Sequence, residues 1–140
     1  MTKIMLPDTG VIVASLNTRE QWHKWTLGQM QNLTPPFYTC EAVITEACFL
    51  MQNEANGERD VLSLVKDGLV KVDFSLSVEI TEIQDLMKKY ENVPMSLADA
   101  CLVRMSELHN NSTIFTLDSD FWIYRKNSNE QIPLIIPDKA

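Results

Sequence analysis

Acidic residues lie inside apolar segments at four places in this sequence: Asp8 in IMLPDTGVIVASL, Glu46 in AVITEACFL, Asp99 in MSLADACLV, and Asp118 with Asp120 in IFTLDSDF. Carboxylates are among the side chains that folded proteins bury least often, and an unpaired buried charge is costly. A chain that repeatedly places acids in core-like sequence is therefore expected to gather them around a cation. Oxygen ligands of this kind suit a hard divalent metal and phosphoryl-transfer chemistry.

Length and composition predict one globular domain over residues 1–140, with 45% hydrophobic and 22% charged residues. No apolar run reaches the roughly 18 residues of a membrane span, and no export signal is visible. Cys40, Cys48 and Cys101 lack CxxC spacing, so we expect reduced core thiols, a cytoplasmic location and no zinc site. The net charge of −7 argues against a generic basic nucleic-acid binder. It leaves a metal nuclease open, because there the ion carries positive charge to the phosphate.

Strand-like and helical patterns alternate along the chain. The apolar or alternating runs that predict strands are 3–7, 37–40, 69–74, 113–117 and 133–137. The patterns that predict helices cover 9–16, a segment from a Thr18/Gln21 capping box through Met30, then 41–52, 58–66, 80–89 and 94–109. This order predicts a three-layer α/β/α sandwich around a mostly parallel sheet.

Two of the acids fall where such a sheet binds ligands. Asp8 follows the first predicted strand and Asp118 follows the strand at 113–117. Ligands of open parallel sheets bind outside the carboxyl ends of the strands. We therefore expect these two side chains to lie close together, at the edge of the sheet where the parallel strands end. Pro7 removes one N–H from the first strand, and with it one ladder hydrogen bond.

Each acid also has a purely structural alternative, with one exception. Asp8 suits a helix N-cap, Asp99 suits the third position of a capping box that begins at Ser96, and Asp118 with Asp120 suits an Asx turn. Taken singly, these alternatives are at least as strong as a functional role. Glu46 differs because it lies in mid-helix, where no cap is needed, and inside the apolar stripe that Val43 and Leu50 mark, which we expect to be buried. A metal or its bound water is the favoured partner for it.

The acids also match a known family in kind and order. Asp8-Thr9 after the first strand, helical Glu46, Asp99 in SLADA and Asp118 with Asp120 in TLDSDF resemble the PIN domain family, in particular the VapC-type ribonuclease toxins. The resemblance implies a parallel-sheet α/β/α fold whose acids bind one or two Mg²⁺ or Mn²⁺ ions.

Carried over residue by residue, the resemblance makes Asp8, Glu46, Asp99 and Asp118 both the metal ligands and the catalytic acids. Asp120 would be an auxiliary ligand, and the Thr116 hydroxyl would orient the carboxylates. The implied activity is metal-dependent endoribonuclease cleavage, as the toxin of a toxin–antitoxin pair. The alternative is a catalytically degenerate PIN module that binds a metal or a partner.

Substrate and partner contacts are expected outside the quartet. Arg125 and Lys126 could bind RNA phosphates, and an equally good alternative is a solvated surface pair. The resemblance implies an antitoxin partner and a homodimer, and it led us to expect an exposed apolar patch that includes Trp22 or Trp25. A haloacid-dehalogenase-like phosphatase is disfavoured because Gly10 stands where its second aspartate would be.

Overall fold

A computed structural model describes residues 3–138 of the chain. The strands are β1 Ile4–Pro7, β2 Phe37–Thr39, β3 Val70–Val72, β4 Ser112–Phe115, β5 Arg125–Lys126, β6 Glu130–Gln131 and β7 Leu134–Ile135. The α-helices are α1 Thr9–Leu16, α2 His23–Gln31, α3 Glu41–Met51, α4 Gly57–Lys66, α5 Ile80–Lys89 and α6 Leu97–Leu108. A 3₁₀ helix covers Ser119–Trp122.

The central strands are parallel, as the alternating pattern predicts. β1, β4 and β7 form one hydrogen-bonded sheet with β4 in the middle, and β2 pairs in parallel with β3. Helices α1, α3 and α4 pack on one another, while α6 packs against α3, α5 and the β1–β4 pair. The predicted α/β/α architecture is therefore confirmed.

β1 and β2 pack side by side without a backbone ladder, and Pro7 lies where they meet. The amides of Ile4 and Asp8 donate to β4, at 2.8 Å to Asn111 O and 3.0 Å to Phe115 O. Because amide directions alternate along a strand, the missing N–H of Pro7 belongs to the side that faces β2. There the Thr39 hydroxyl donates a 3.1 Å hydrogen bond to the Pro7 carbonyl. A side chain thus takes the place of a ladder bond.

The core lies on both faces of the sheet, because successive strand side chains point in opposite directions. Leu6 and its partner Ile114 are fully buried in the larger cluster with α1, α3 and α6. Met5 packs with Phe37 and Val70 in a smaller cluster under α2 and α4. The buried strands hold the ends of β1 and β4 rigidly side by side.

The structure differs from the local predictions at the start of α2 and in the ribbon of β5 and β6. The Thr18/Gln21 capping box does not form; α2 begins only at His23, and its N-cap Trp22 makes no side-chain capping bond. The short antiparallel ribbon of β5 and β6 was not predicted. Two-residue strands carry too few positions to show a periodic pattern. Gly68 behaves as predicted: it follows the C-cap of α4 with a φ of 81°, which a glycine adopts without strain.

The helices within residues 3–138 do not suit a transmembrane segment. None of them combines the length with the apolar character that a bilayer crossing requires.

Candidate active site

A cavity of about 460 Å³ opens at the carboxyl ends of β1 and β4. All four predicted acids line it: Asp8, Glu46, Asp99 and Asp118. They come from the end of β1, from α3, from the first turn of α6 and from the turn after β4. The predicted convergence of the four side chains is therefore seen in the structure. The described lining contains no lysine or arginine, so the cavity concentrates negative charge.

Asp8 is the most buried of the four acids, with 7% of its surface exposed. Its Oδ1 accepts a 3.2 Å hydrogen bond from the Val11 amide, which makes Asp8 the N-cap of α1. The Thr116 hydroxyl donates to its Oδ2. Burial, and to a smaller extent the charges of Asp118 and Asp99, raise the pKa of Asp8 to about 7 against the lowering effect of these two hydrogen bonds.

Asp99 occupies the third position of α6. The Ser96 hydroxyl accepts from the Asp99 amide at 3.0 Å, and the Asp99 carboxylate accepts from the Ser96 amide at 3.4 Å, so the predicted capping box is present. The Tyr124 hydroxyl donates to Oδ2 of Asp99 at 3.0 Å. Burial raises the pKa of Asp99, and the hydrogen bond from Tyr124 partly offsets that rise.

Asp118 caps the 3₁₀ helix that follows β4. Its carboxylate accepts from the Asp120 amide at 2.9 Å, while its own amide donates to the Thr116 hydroxyl at 2.9 Å. Thr116 thus links Asp8 and Asp118, which agrees with the predicted orienting role. Asp120 lies outside the described lining of the cavity. Burial, and then the charge of Asp118, raises the pKa of Asp120.

Glu46 reaches the cavity from the edge of α3 and not from its buried face. The buried positions of α3 are Val43, Ala47 and Met51, whereas Glu46 is exposed and Leu50 is 56% exposed. The inference that Glu46 lies within a buried stripe is therefore wrong. Positions 43, 47 and 51 define a stripe whose flank, at 46 and 50, faces the cavity instead of the core.

The contacts of two further residues, Thr9 and Tyr124, were not predicted from the sequence. Thr9 donates its hydroxyl to Oε1 of Glu46 at 2.7 Å, and Tyr124 holds Asp99. The position of Thr9 directly after Asp8, at a strand end, was an available signal. Tyr124 lies 25 positions from Asp99, and no sequence spacing connects the two.

The predicted substrate contacts lie elsewhere. Arg125 donates from one guanidinium nitrogen to the carbonyls of Trp122 and Tyr124, at 2.7 and 3.1 Å, and so caps the end of the 3₁₀ helix. It lines a separate pocket with acidic residues of α5 and α6. Lys126 is buried, with 8% of its surface exposed. Neither residue belongs to the described lining of the acidic cavity.

An exposed apolar patch that includes Trp22 or Trp25 stays a prediction. Trp22 and Trp25 are both half-buried and pack edge to face, with ring centroids 6.2 Å apart. Trp25 packs further against Phe115 of β4 at 5.8 Å. Among the described residues, large exposed apolar side chains include Leu27 of α2, Phe49 of α3 and Val78 just before α5.

The donor set suits Mg²⁺ or Mn²⁺. All four cavity acids offer oxygen, the donor that hard divalent cations prefer, and no basic side chain of the described lining neutralises them. Within residues 3–138, no three acidic, histidine or cysteine side chains converge closely enough to enclose an ion by themselves. A bound divalent ion would therefore complete its ligands with waters or with substrate phosphate oxygens, as Mg²⁺ commonly does.

Comparison with known proteins agrees with this architecture. A sequence model of the PIN domain matches residues 5–127. The chain therefore belongs to the PIN domain family. A search of curated protein sequences gives no match.

Three solved structures resemble the fold. VapC20 of Mycobacterium tuberculosis, a sarcin-ricin loop cleaving toxin, superposes with a TM-score of 0.70 at 16% identity, over 83% of this chain and 91% of that one. VapBC2 of Rickettsia felis, bound to a DNA fragment from its promoter, gives 0.62 at 15% identity over 96% and 99%. FitAcB of Neisseria gonorrhoeae gives 0.55 at 17% identity over 83% and 88%.

Proposed function

We propose that this PIN-domain protein is a divalent-metal-dependent endoribonuclease and the toxin of a toxin–antitoxin pair. The observation that carries the proposal is the convergence of Asp8, Glu46, Asp99 and Asp118 on one cavity that has no basic residue in its described lining. Four carboxylates at the carboxyl ends of parallel strands need a cation, and the chemistry that such a cation supports is phosphodiester hydrolysis.

The same four carboxylates would hold Mg²⁺ or Mn²⁺, with Asp120 as a candidate auxiliary ligand beside Asp118. Such an ion, when bound, lowers the pKa of a coordinated water and stabilises negative charge on the attacked phosphate. In the hydrolysis the water oxygen bonds to phosphorus, the bond from phosphorus to the leaving oxygen breaks, and that oxygen takes up a proton.

The protein's own contribution is to fix the carboxylates in advance. Thr116 and the Val11 amide hold the two oxygens of Asp8, and Thr9 holds one oxygen of Glu46. Groups held by such hydrogen bonds need no reorganisation when the substrate arrives. Glu46 stands at the open edge of the cavity, where it can orient the attacking water. Glu46 and Asp99 are the two candidates to accept the proton of that water.

RNA as substrate and an antitoxin as partner follow from the resemblance to VapC-type toxins, and the sarcin-ricin loop cleaving activity of VapC20 supports the choice of RNA. A cavity open to solvent suits a polymer better than a small molecule. Arg125 and Lys126 stay predicted phosphate contacts, although binding there would need the substrate to extend beyond the cavity. A homodimer also stays a prediction.

The direct test is cleavage of a mixed RNA pool by the purified protein with Mg²⁺, Mn²⁺ or EDTA, followed by mapping of the cut sites. We expect cuts with either metal and none with EDTA. Asp99→Asn and Asp118→Asn should abolish the cuts. Asp60→Asn is the matched control, because Asp60 is an exposed acid on α4 outside the described lining of the cavity. Cleavage that persists in both cavity variants would contradict the proposal.

The second candidate is a degenerate PIN module that binds a metal or a partner without cutting. The high burial of Asp8, whose pKa is raised to about 7 by that burial, is compatible with a site that only binds. Calorimetric Mn²⁺ binding by the wild-type protein, combined with intact RNA in every metal, would identify this alternative.

A further inference from the structure

Tyr124 contacts Asp99, one of the four acids that line the cavity. Its side chain is fully buried, and its hydroxyl donates a 3.0 Å hydrogen bond to Oδ2 of Asp99. A hydrogen bond to a carboxylate is roughly twice as strong as one between neutral groups. The tyrosine itself is outside the described lining of the cavity, so it acts through Asp99 and not on a bound molecule.

The ring of Tyr124 is locked by two aromatic neighbours. Tyr90 packs edge to face at 5.1 Å between ring centroids, and Phe121 does the same at 5.2 Å. Tyr90 is anchored in turn, since its hydroxyl accepts a 2.8 Å hydrogen bond from the Arg125 amide. A ring packed on two sides cannot swing, and the direction of the Tyr124 hydroxyl is therefore fixed by the core.

The two side-chain hydrogen bonds recorded for the Asp99 carboxylate end on the same oxygen. Oδ2 accepts from Tyr124 at 3.0 Å and from the Ser96 amide at 3.4 Å. The bond from Ser96 is the longer one and belongs to the capping box, which any short acid at this helix position can make. The bond from Tyr124 is what sets this carboxylate apart from an ordinary cap.

We propose that Tyr124 is a positioning residue, which holds Oδ2 of Asp99 so that Oδ1 is the oxygen presented to a divalent cation in the cavity. This inference rests on the proposed metal-dependent function. Hydrogen-bond partners behind a metal ligand typically contribute 10- to 100-fold to metal affinity or activity. Loss of the hydroxyl alone should therefore weaken cation binding while the ring continues to fill the core.

The test compares Tyr124→Phe with Tyr90→Phe. Both changes remove one hydroxyl from the same aromatic cluster, but only the first touches an acid of the cavity. Calorimetry with Mn²⁺ in the absence of RNA measures affinity, RNA cleavage over a Mn²⁺ series measures activation, and thermal unfolding in EDTA measures folding.

We expect Tyr124→Phe to weaken Mn²⁺ binding about tenfold and to raise the Mn²⁺ concentration for half-maximal cleavage by a similar factor. Cleavage at saturating Mn²⁺ should stay within about twofold of wild type, since the ligand itself is intact. Tyr90→Phe should keep wild-type affinity even if both variants lose similar thermal stability.

The possible results distinguish the positioning role of Tyr124 from the proposed nuclease function. If wild type cleaves RNA and Tyr124→Phe binds Mn²⁺ like wild type, or no more weakly than Tyr90→Phe, the positioning role is refuted and the nuclease stands. If wild type cuts no RNA but Tyr124→Phe alone weakens Mn²⁺ binding, the positioning role stands and the nuclease fails. A wild-type protein that neither binds Mn²⁺ nor cuts RNA overturns both.

Discussion

The hydroxyl of Thr9 donates a 2.7 Å hydrogen bond to Oε1 of Glu46, 37 positions away along the chain. Thr9 is the first residue of α1 and directly follows Asp8, so the bond ties the end of β1 to the exposed edge of α3. Without it, a solvent-exposed glutamate would be free to sample several rotamers. The bond thus makes an exposed acid part of a defined site.

The first prediction follows from this bond. Thr9→Val should lower the rate of RNA cleavage about tenfold, because Glu46 loses the donor that holds it. The free energy of unfolding should change by less than about 1 kcal/mol, since Glu46 is exposed and water replaces the donor. Cleavage kinetics and urea denaturation measure the two effects. Thr45→Val is the control: its hydroxyl binds the Glu41 carbonyl on the same helix at 2.9 Å, and its cleavage rate should match wild type.

The second prediction concerns pH. Burial raises the pKa of Asp8 from 3.8 to about 7, so the folded state binds this proton more tightly than the unfolded state does. In EDTA, the contribution of Asp8 to stability is therefore fully present below about pH 4, declines as pH rises towards 7, and is constant above that. A shift of about three pKa units corresponds to at most about 4 kcal/mol.

Asp8→Asn removes this titration. In EDTA the variant should be more stable than wild type at pH 8, and this advantage should shrink as the pH falls and vanish below about pH 4, while cleavage is lost. Thermal unfolding across this pH range is the measurement. Asp60→Asn, on the exposed surface of α4, serves as the control and should retain the wild-type slope. Parallel pH profiles for Asp8→Asn and wild type would show that Asp8 ionises normally.

The third prediction tests the side-chain link between β1 and β2. Thr39→Val should lower the free energy of unfolding by about 1–3 kcal/mol, because the Pro7 carbonyl loses its buried donor. Urea denaturation gives this value. Thr45→Val should stay within about 0.5 kcal/mol of wild type, because Thr45 is exposed. Equal stability of the two variants would mean that the β1–β2 contact does not depend on the hydroxyl.

The fourth prediction compares two glycines. A Cβ on Gly57 would lie 1.8 Å from the Met51 carbonyl oxygen, at the close approach of α4 to the end of α3. Gly57→Ala should therefore destabilise the fold by about 1–3 kcal/mol or more. A Cβ on Gly28, within α2, would meet no atom within 4 Å. Gly28→Ala should stabilise by about 0.5–1 kcal/mol through helix propensity. Thermal unfolding of both variants checks the opposite signs.

Much of the site was readable from sequence because the acids follow local rules. Asp8 and Asp118 come directly after apolar strands, and parallel strands bring their ends to the same edge. The structural alternatives for Asp8 and Asp99 also proved correct: Asp8 caps α1, and Asp99 completes a capping box on α6. Capping and lining the cavity are compatible because a carboxylate has two oxygens and several lone pairs. The capping bonds at the starts of α1 and α6 therefore also orient the side chains of Asp8 and Asp99.

The sequence was least informative where the position of a side chain depends on the neighbours of a residue and not on its own segment. Glu46 lies on the flank of its stripe because the cavity, and not the core, faces that side of α3. Trp25 is half-buried because Phe115 of β4 packs against it. Arg125 is turned towards backbone carbonyls at the end of a 3₁₀ helix that the sequence did not predict. The neighbours that decide the positions of Glu46 and Trp25 are distant in sequence, whereas Arg125 contacts carbonyls within three positions of itself.

Local periodicity, proline and capping chemistry, which a short segment contains in full, predict the α/β class, the strand ends that carry Asp8 and Asp118, and the capped helix that carries Asp99. Only the tertiary structure decided that Thr9 holds Glu46 and that Tyr124 holds Asp99, since each pair is joined by packing across separate elements. Hydrogen-bond partners far apart in the chain leave no periodic trace in the sequence, because their meeting depends on how every intervening element packs.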